Sequence, residues 1–487
     1  MEEGALTRTT ASGASSRDDP APRLPTEICG RIIDQLAAEL FLGHISVTGN
    51  PNLLALRSCA LVCRDWYFHT WYHLRQRIHL RGRNDVLSLS RTLRERPRLR
   101  GVVQQVVISG HSASDERSVI QHLGTFAAML SGKLPELLMI SITDAEWTVG
   151  SMRMQCFECL TAFRLVHTLA ITNVTVPSIA QLARLISALP GLGTLWCDGV
   201  ECSQKHPVSP VSLPVNSAHL EQLDVRWVAP AIQDLLVRIS QVSRLRKLVL
   251  AVVGDLHPSS RGSRSQALLD ASAGSMEVFT LYIDPDSSMD SDTVDSTVVE
   301  QHLNLSSHAS LWRLQIYLRH PFVAWSWIPH IVSRIPSKYL ASMSVIFFIR
   351  AAHAADDLDG ALTMMEEDGI LVQLDDTLQA EYFADIAPGG ICLGFDDADN
   401  DWTSPEELFG TESSFRERHN RWDELIRRKM PRCNVRGILT TVYSFEEETK
   451  WRSNMDEFHE ARQNQESKTG VEVQREDDAE HAPDSSG

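Results

Sequence analysis

The stretch "LEQLDVRW", Leu220 to Trp227, decides how this chain is read. Leu223 and Val225 are two apart, the spacing at which strand side chains share a face, and Leu220 leads in three residues earlier. The same L-x-x-L-x-aliphatic spacing returns as Leu245, Leu248 and Leu250, and again as Leu311, Leu314 and Ile316. Looser versions are "VVQQVVIS", "LLMISIT", "VHTLAIT", "LGTLWCD", "MEVFTLYI" and "MSVIFFI", so the runs start every 25–35 residues between positions 102 and 343. Between them lie helical stretches. In "VPSIAQLARLISALPG", Ile179, Leu182, Leu185, Ile186 and Leu189 share one face before Pro190-Gly191 ends the helix, and "AIQDLLVRISQVSRL" is similar. A strand and a helix recurring at this period mark a solenoid with leucine-rich-repeat spacing, in which each coil closes its neighbour's core. The asparagine ladder of regular repeats is absent, so the coils are degenerate. A doubly wound domain has the same strand–helix alternation; the repeated L-x-x-L-x-L favours the solenoid. The expected class is α/β.

Beyond residue 350 the rhythm loosens. "GILVQL" and "GICLGF" read as strands, "FRERHNRWDELIRRKM" as an amphipathic helix ending at Pro431, and "VRGILTTVYS" as a closing strand. Residues 350–445 are expected to be the irregular last coils and cap.

The 487 residues carry a net charge of −17 with 43% hydrophobic content, too apolar for wholesale disorder. The charge is local: 356–412 holds seventeen Asp and Glu and no Lys or Arg, and the rest of the chain balances. That balance argues against nucleic-acid binding through bulk charge. An Arg-rich window, Arg64 to Arg100, lacks interleaved aromatics and reads as a solvated face. The acidic segment reads as solvated loops, with recruitment of a basic partner as the functional alternative. The nine cysteines are odd in number and scattered, which suits free thiols in a reducing compartment. "CFEC" (Cys156, Cys159) has zinc spacing without a second ligand pair, so no metal is expected there. No apolar run approaches membrane-spanning length. A soluble protein of cytoplasm or nucleus is expected.

At the N-terminal end, "RLPTEICGRIIDQL" (Arg23–Leu36) places Ile28, Ile32, Ile33 and Leu36 on one helical stripe. "GNPNLLALRSCALVCRDW" follows as a second helix, with Asn50 as cap, and "WYFHTWYHLRQ" as a third. Together, Leu24, Pro25, Glu27, Ile28, Ile32, Ile33 and Leu36, then Leu56, Val62, Cys63, Arg64 and Trp66, resemble the F-box, the helical motif that docks onto the Skp-type adaptor of cullin–RING ubiquitin ligases. The remainder resembles, more loosely, the leucine-rich-repeat-like region of F-box proteins common in basidiomycete fungi. The connection from Ala37 to Asn52 is longer than that family's usual one.

The resemblance implies a short all-α F-box domain at 23–75 followed by a leucine-rich-repeat-like α/β solenoid at 76–445, which contains the acidic segment. Residues 1–22 are expected to be disordered and 446–487 to be a polar, largely disordered tail that holds at best one exposed helix. It implies a substrate-recognition subunit of an SCF-type ligase, without catalysis or cofactor, bound to the adaptor and through it a cullin, with an unknown protein as target. Adaptor contacts would come from Leu24, Pro25, Ile28, Ile32 and Leu36, with Leu56, Val62 and Trp66 shaping the domain. The target would meet polar strand positions such as Glu221, Gln222, Asp224 and Arg226.

Two other readings stand beside it. One is a repeat scaffold without ligase role. The other is a serine hydrolase, because Gly110-His111-Ser112-Ala113-Ser114 mimics a G-x-S-x-G elbow with Ser112 as nucleophile. No glycine-rich oxyanion loop precedes that elbow, so a chance match is the better account. "DADNDW" copies the first EF-hand ligands, but Trp402 and Leu408 stand where Gly and Glu are needed.

Overall fold

The computed structural model describes residues 25–42, 51–110, 117–204, 214, 217–252, 263–283, 303–318, 327–349, 360, 362–363, 365–367, 369–397, 412–443 and 445–480. It divides into two compact units, residues 1–78 and 79–487.

The first unit is helical: α1 (Thr26–Leu42), α2 (Pro51–Cys59) and α3 (Arg64–Gln76). The Pro25 carbonyl accepts from the N–H groups of Ile28 and Cys29 at 3.0 and 3.1 Å, which starts α1 just after the proline. All three helices touch one another. Ile33, Ala37 and Leu56 form the buried centre, and Leu36, Leu53, Cys59, Trp66 and Leu74 pack around it.

The second unit is mixed α/β, built on one long sheet. The sheet's strands are β1 (Arg77–Leu80), which begins two residues ahead of the unit's boundary, β2 (Gln105–Ser109), β3 (Ser118–Val119), β4 (Met139–Glu146), β5 (Thr168–Val176), β6 (Thr194–Asp198) and β7 (Glu201–Cys202). They continue as β8 (Gln222–Arg226), β9 (Lys247–Val252), β10 (Val278–Ile283), β11 (Arg313–Leu318), β12 (Ser342–Ile349), β13 (Ile391–Asp397) and β14 (Leu439–Val442). Order in the sheet follows order in the chain, with the two-residue β3 and β7 set beside β4 and β5. From β2 to β14 neighbours run parallel. The order never reverses, so the sheet lacks the switch point of a doubly wound domain.

The nine apolar runs read from the sequence are β2, β4, β5, β6 and β8 to β12. Register stacks them into a buried column from Val106 through Leu169, Leu195, Leu223, Leu248 and Leu314 to Ile391. The leading leucines Leu220, Leu245 and Leu311 are buried as well. In place of an asparagine ladder, the residue ahead of each strand donates its N–H to the preceding coil. Glu221 bonds Gly193, Arg246 bonds Glu221 and Glu277 bonds Arg246, each at 2.8 Å; Trp312 bonds Glu277 and Ala341 bonds Trp312 at 2.9 Å.

A second ladder crosses the coils further along. The registered residues Thr143, Thr172, Asp198 and Arg226 are each followed by a residue of positive φ: Asp144 (50°), Asn173 (53°), Gly199 (60°) and Trp227 (47°). The left-handed conformation kinks the coils at one register, and in β4 and β5 pairing resumes beyond it, Ala145 against Val174 and Glu146 against Thr175.

Helices link the strands: α4 (Arg83–Glu95), α5 (Leu123–Leu130), α6 (Met154–Leu160), α7 (Ile179–Ser187), α8 (Pro230–Ser240) and α9 (Arg264–Ser272). Further on come α10 (Trp327–Ser333), α11 (Ile370–Thr377), α12 (Glu412–Lys429) and α13 (Pro431–Val435). Neighbouring helices touch along the runs α4–α5–α6, α7–α8–α9 and α10–α11–α12. Ile179, Leu182, Leu185, Ile186 and Leu189 are buried, and the Ser178 hydroxyl caps α7 by accepting from the Gln181 N–H.

Two expectations fail here. "GILVQL" lies in α11, not a strand: Gly369, at φ 64°, starts the helix, and Ile370, Leu371 and Leu374 fall on its buried face. The polar tail expected from 446 begins instead as α14 (Phe445–Glu480), whose Glu448, Trp451 and Met455 are buried. Three apolar or paired residues, spaced one turn apart, suffice to seat an otherwise charged helix. Residues 1–22, most of 398–412 and 481–487 lie outside the described residues.

Candidate functional site

The first unit divides the eight residues expected at the adaptor surface. Ile28 and Ile32, one turn apart on α1, are each 41% exposed and Pro25 beside them is exposed. Helical geometry explains the split: at ~100° per residue, Cys29, Ile33 and Ala37 point into the core while Ile28 and Ile32 ride on its flank. Leu36 is half-buried against the core. Leu56 is fully buried at the centre and Trp66 packs onto it, so both shape the unit from within. Val62 is exposed in the turn between α2 and α3. Leu24 lies outside the described residues. Leu61 and Phe68, which sequence reading passed over, are exposed at 88% and 67%.

On α1's other flank the Asp34 carboxylate meets two histidines of α3, His69 and His73, at 2.9 and 2.8 Å. These interactions hold the Asp34 carboxyl below its ordinary range, the His73 hydrogen bond first among them.

In the second unit, alternate strand residues face away from the linking helices. Among the expected target positions, Glu221 and Gln222 are exposed. Asp224 and Arg226 are instead engaged: Arg226 donates from Nε and Nη2 to the two Asp224 oxygens, each at 2.8 Å. The Arg226 guanidinium lies 4.2 Å above the Tyr282 ring, and Tyr282 stacks on Tyr317 at 4.6 Å. Across this row runs α14. Tyr317 donates its hydroxyl proton to Glu448, which also pairs with Arg452 at 3.2 Å. Burial, then the Glu448 carboxylate, push the Tyr317 phenol well above its ordinary range. Arg313 donates to the Arg452 carbonyl at 3.0 Å and pairs with Asp456 at 3.1 Å; Trp451 donates to the Gly389 carbonyl at 2.8 Å. Trp451 and Met455 share a cluster with Tyr317, Ile346, Cys392 and Val442. The helix thus occupies the β10–β14 part of this face.

Towards β4–β7, Arg117 ties coils together. It donates to Asn173 Oδ1 at 2.8 Å, Thr175 Oγ1 at 2.7 Å and the Gly199 carbonyl at 3.2 Å, and pairs with Glu201 at 2.9 Å. Asn173 in turn donates to Asp144 at 2.9 Å.

Ser112 lies outside the described residues. Cys156 and Cys159 sit on α6 as free, half-buried thiols, and among the described residues no third ligating side chain joins them. No described helix is long and apolar enough to cross a membrane. No family model matches the chain, and no curated protein matches it.

Proposed function

We propose that the chain is the substrate-recognition subunit of an SCF-type cullin–RING ubiquitin ligase, with no chemistry of its own. In this reading the first unit is an F-box that docks a Skp-type adaptor. The second is a leucine-rich-repeat-like solenoid that presents its sheet face to a protein target in the cytoplasm or nucleus. Capture raises the target lysine's effective concentration beside a charged conjugating enzyme, and bond making belongs to the other subunits.

The observation that carries the proposal is the exposure of Ile28 and Ile32 on a helix whose Ile33 and Ala37 already supply the core. Two adjacent isoleucines held in water by a rigid helix suit a partner groove, where a few aliphatic anchors provide most of the binding energy. The chain-order parallel sheet supports the solenoid half of the reading. Within it, the face beside β8 is the part that α14 leaves for a target, with Glu221 and Gln222 exposed there.

The test is co-purification of the full chain with a Skp-type adaptor, beside the Ile28→Ala/Ile32→Ala variant. Stoichiometric binding by the parent chain, lost in a variant of unchanged circular dichroism, is expected. A folded parent chain that binds no adaptor removes the ligase reading and leaves a repeat scaffold.

A further inference from the structure

Asp34, His69 and His73 stand apart from the residues invoked above and come from two helices. His69 and His73 are four apart on α3, so they project one above the other on one face. Asp34 projects from α1 towards both. Asp34 Oδ1, His69 Nε2 and His73 Nε2 all lie within 4.8 Å of one another, and the carboxylate oxygen is 2.9 and 2.8 Å from the two nitrogens.

His73 is held at its other ring nitrogen as well: Nδ1 lies 3.1 Å from Oε1 of the buried Gln76. The ring is therefore fixed between Gln76 and α1, with Nε2 aimed at the Asp34 carboxylate oxygen 2.8 Å away.

The geometry suits a metal ion. Imidazole nitrogens and a carboxylate oxygen bind Zn2+ at ~2.0–2.2 Å, which sets ligand atoms of a tetrahedral site ~3.3 Å apart. The two oxygen–nitrogen contacts reach that spacing by opening ~0.5 Å, and the two nitrogens already lie within 4.8 Å of each other. The Asp34 and His69 side chains are 57% and 44% exposed, so they are free to make that opening and leave the outer coordination positions to water. Gln76 supplies the outer-sphere acceptor that fixes a metal-binding imidazole's tautomer.

We propose that Asp34, His69 and His73 bind a divalent transition-metal ion, Zn2+ first, that staples α1 to α3. Two nitrogens and one oxygen favour Zn2+ or its neighbours over Mg2+ and Ca2+, which take oxygen ligands. Asp34 lies two residues beyond Ile32, ~200° around α1, so the staple braces the helix from behind and leaves the isoleucine flank uncovered. This inference does not depend on the adaptor reading.

The test uses the full chain, stripped with chelator and titrated with Co2+ as an optical probe for the Zn2+ site. Expected is one Co2+ per chain with visible ligand-field absorption, displaced by Zn2+, and no thiolate-to-cobalt band of the kind the nine cysteines would give. His69→Gln/His73→Gln should abolish it. Gln76→Leu, which touches no ligand atom, should weaken binding ~10–100-fold while circular dichroism stays unchanged. Absent cobalt binding, or binding unchanged in the double variant, overturns the proposal. So does a first unit whose thermal stability is indifferent to added Zn2+.

Discussion

Trp312 and His459 stack face to face, ring centroids 3.9 Å apart and 6° from parallel, although 147 residues separate them along the chain. The stack, the Arg313–Asp456 pair and the Trp451–Gly389 hydrogen bond make α14 part of the second unit's core. Trp451→Ala is therefore expected to destabilise that unit by ~3–5 kcal/mol, the cost of emptying a buried tryptophan site. Urea denaturation followed by circular dichroism measures it. A midpoint within error of the parent chain would mean that α14 contributes little.

His308 gives the second unit a pH dependence. It is fully buried, and its Nε2–H donates to the Leu269 carbonyl at 3.1 Å. Burial is the main cause that holds this imidazole below its ordinary value of 6.5. The unfolded chain therefore binds the proton more readily, and protonation favours unfolding. The contribution of His308 to stability is complete above ~6.5 and is lost as pH falls from there towards the lower folded value. Urea midpoints between pH 7 and 5 should drop, and His308→Gln, which keeps a donor for Leu269 without titrating, should flatten the slope.

Leu56 and Ile28 should behave oppositely. Leu56→Ala empties the centre of the first unit and should cost ~2–5 kcal/mol. Ile28→Ala removes exposed surface and should leave thermal stability near the parent's. Equal losses for both would place Ile28 in the core and sink the adaptor surface.

Asn173 separates backbone from side-chain effects. Its φ of 53° disfavours any residue with a Cβ by ~1–2 kcal/mol, and its amide links Asp144 to Arg117. Asn173→Gly loses only the hydrogen bonds, whereas Asn173→Ala also forces alanine into the left-handed region. Alanine should therefore be the worse replacement by ~1 kcal/mol in urea midpoints.

The apolar column was legible because each Leu-x-x-Leu-x-Leu run carries its own period, and strand pairing then needs only the neighbouring run. Ile179 to Leu189 was legible for the same reason. The ladder of left-handed kinks was not: Asp144, Asn173, Gly199 and Trp227 share a backbone conformation and no side-chain type, and Trp227 is a residue that rarely adopts it. The α11 helix misled because Ile370-Leu371-Val372 reads as a short buried strand until Gly369 is seen to turn the chain. On α1, one stripe of isoleucines was legible, but which of them faced inwards depended on where α2 and α3 packed. Asp34 and His69 are 35 positions apart, and no local pattern links them.

The α14 contacts also set an order of events. Each strand meets the next after a short detour, so the sheet can grow coil by coil as a nascent chain lengthens. The Tyr317–Glu448 and Arg313–Arg452 bonds span 131 and 139 positions, far beyond the reach of one coil to the next. The rows of β10 to β13 therefore wait, half-dressed, for a helix made much later. Until it arrives, Ile346 and Cys392 lack the Trp451 and Met455 side chains that complete their cluster.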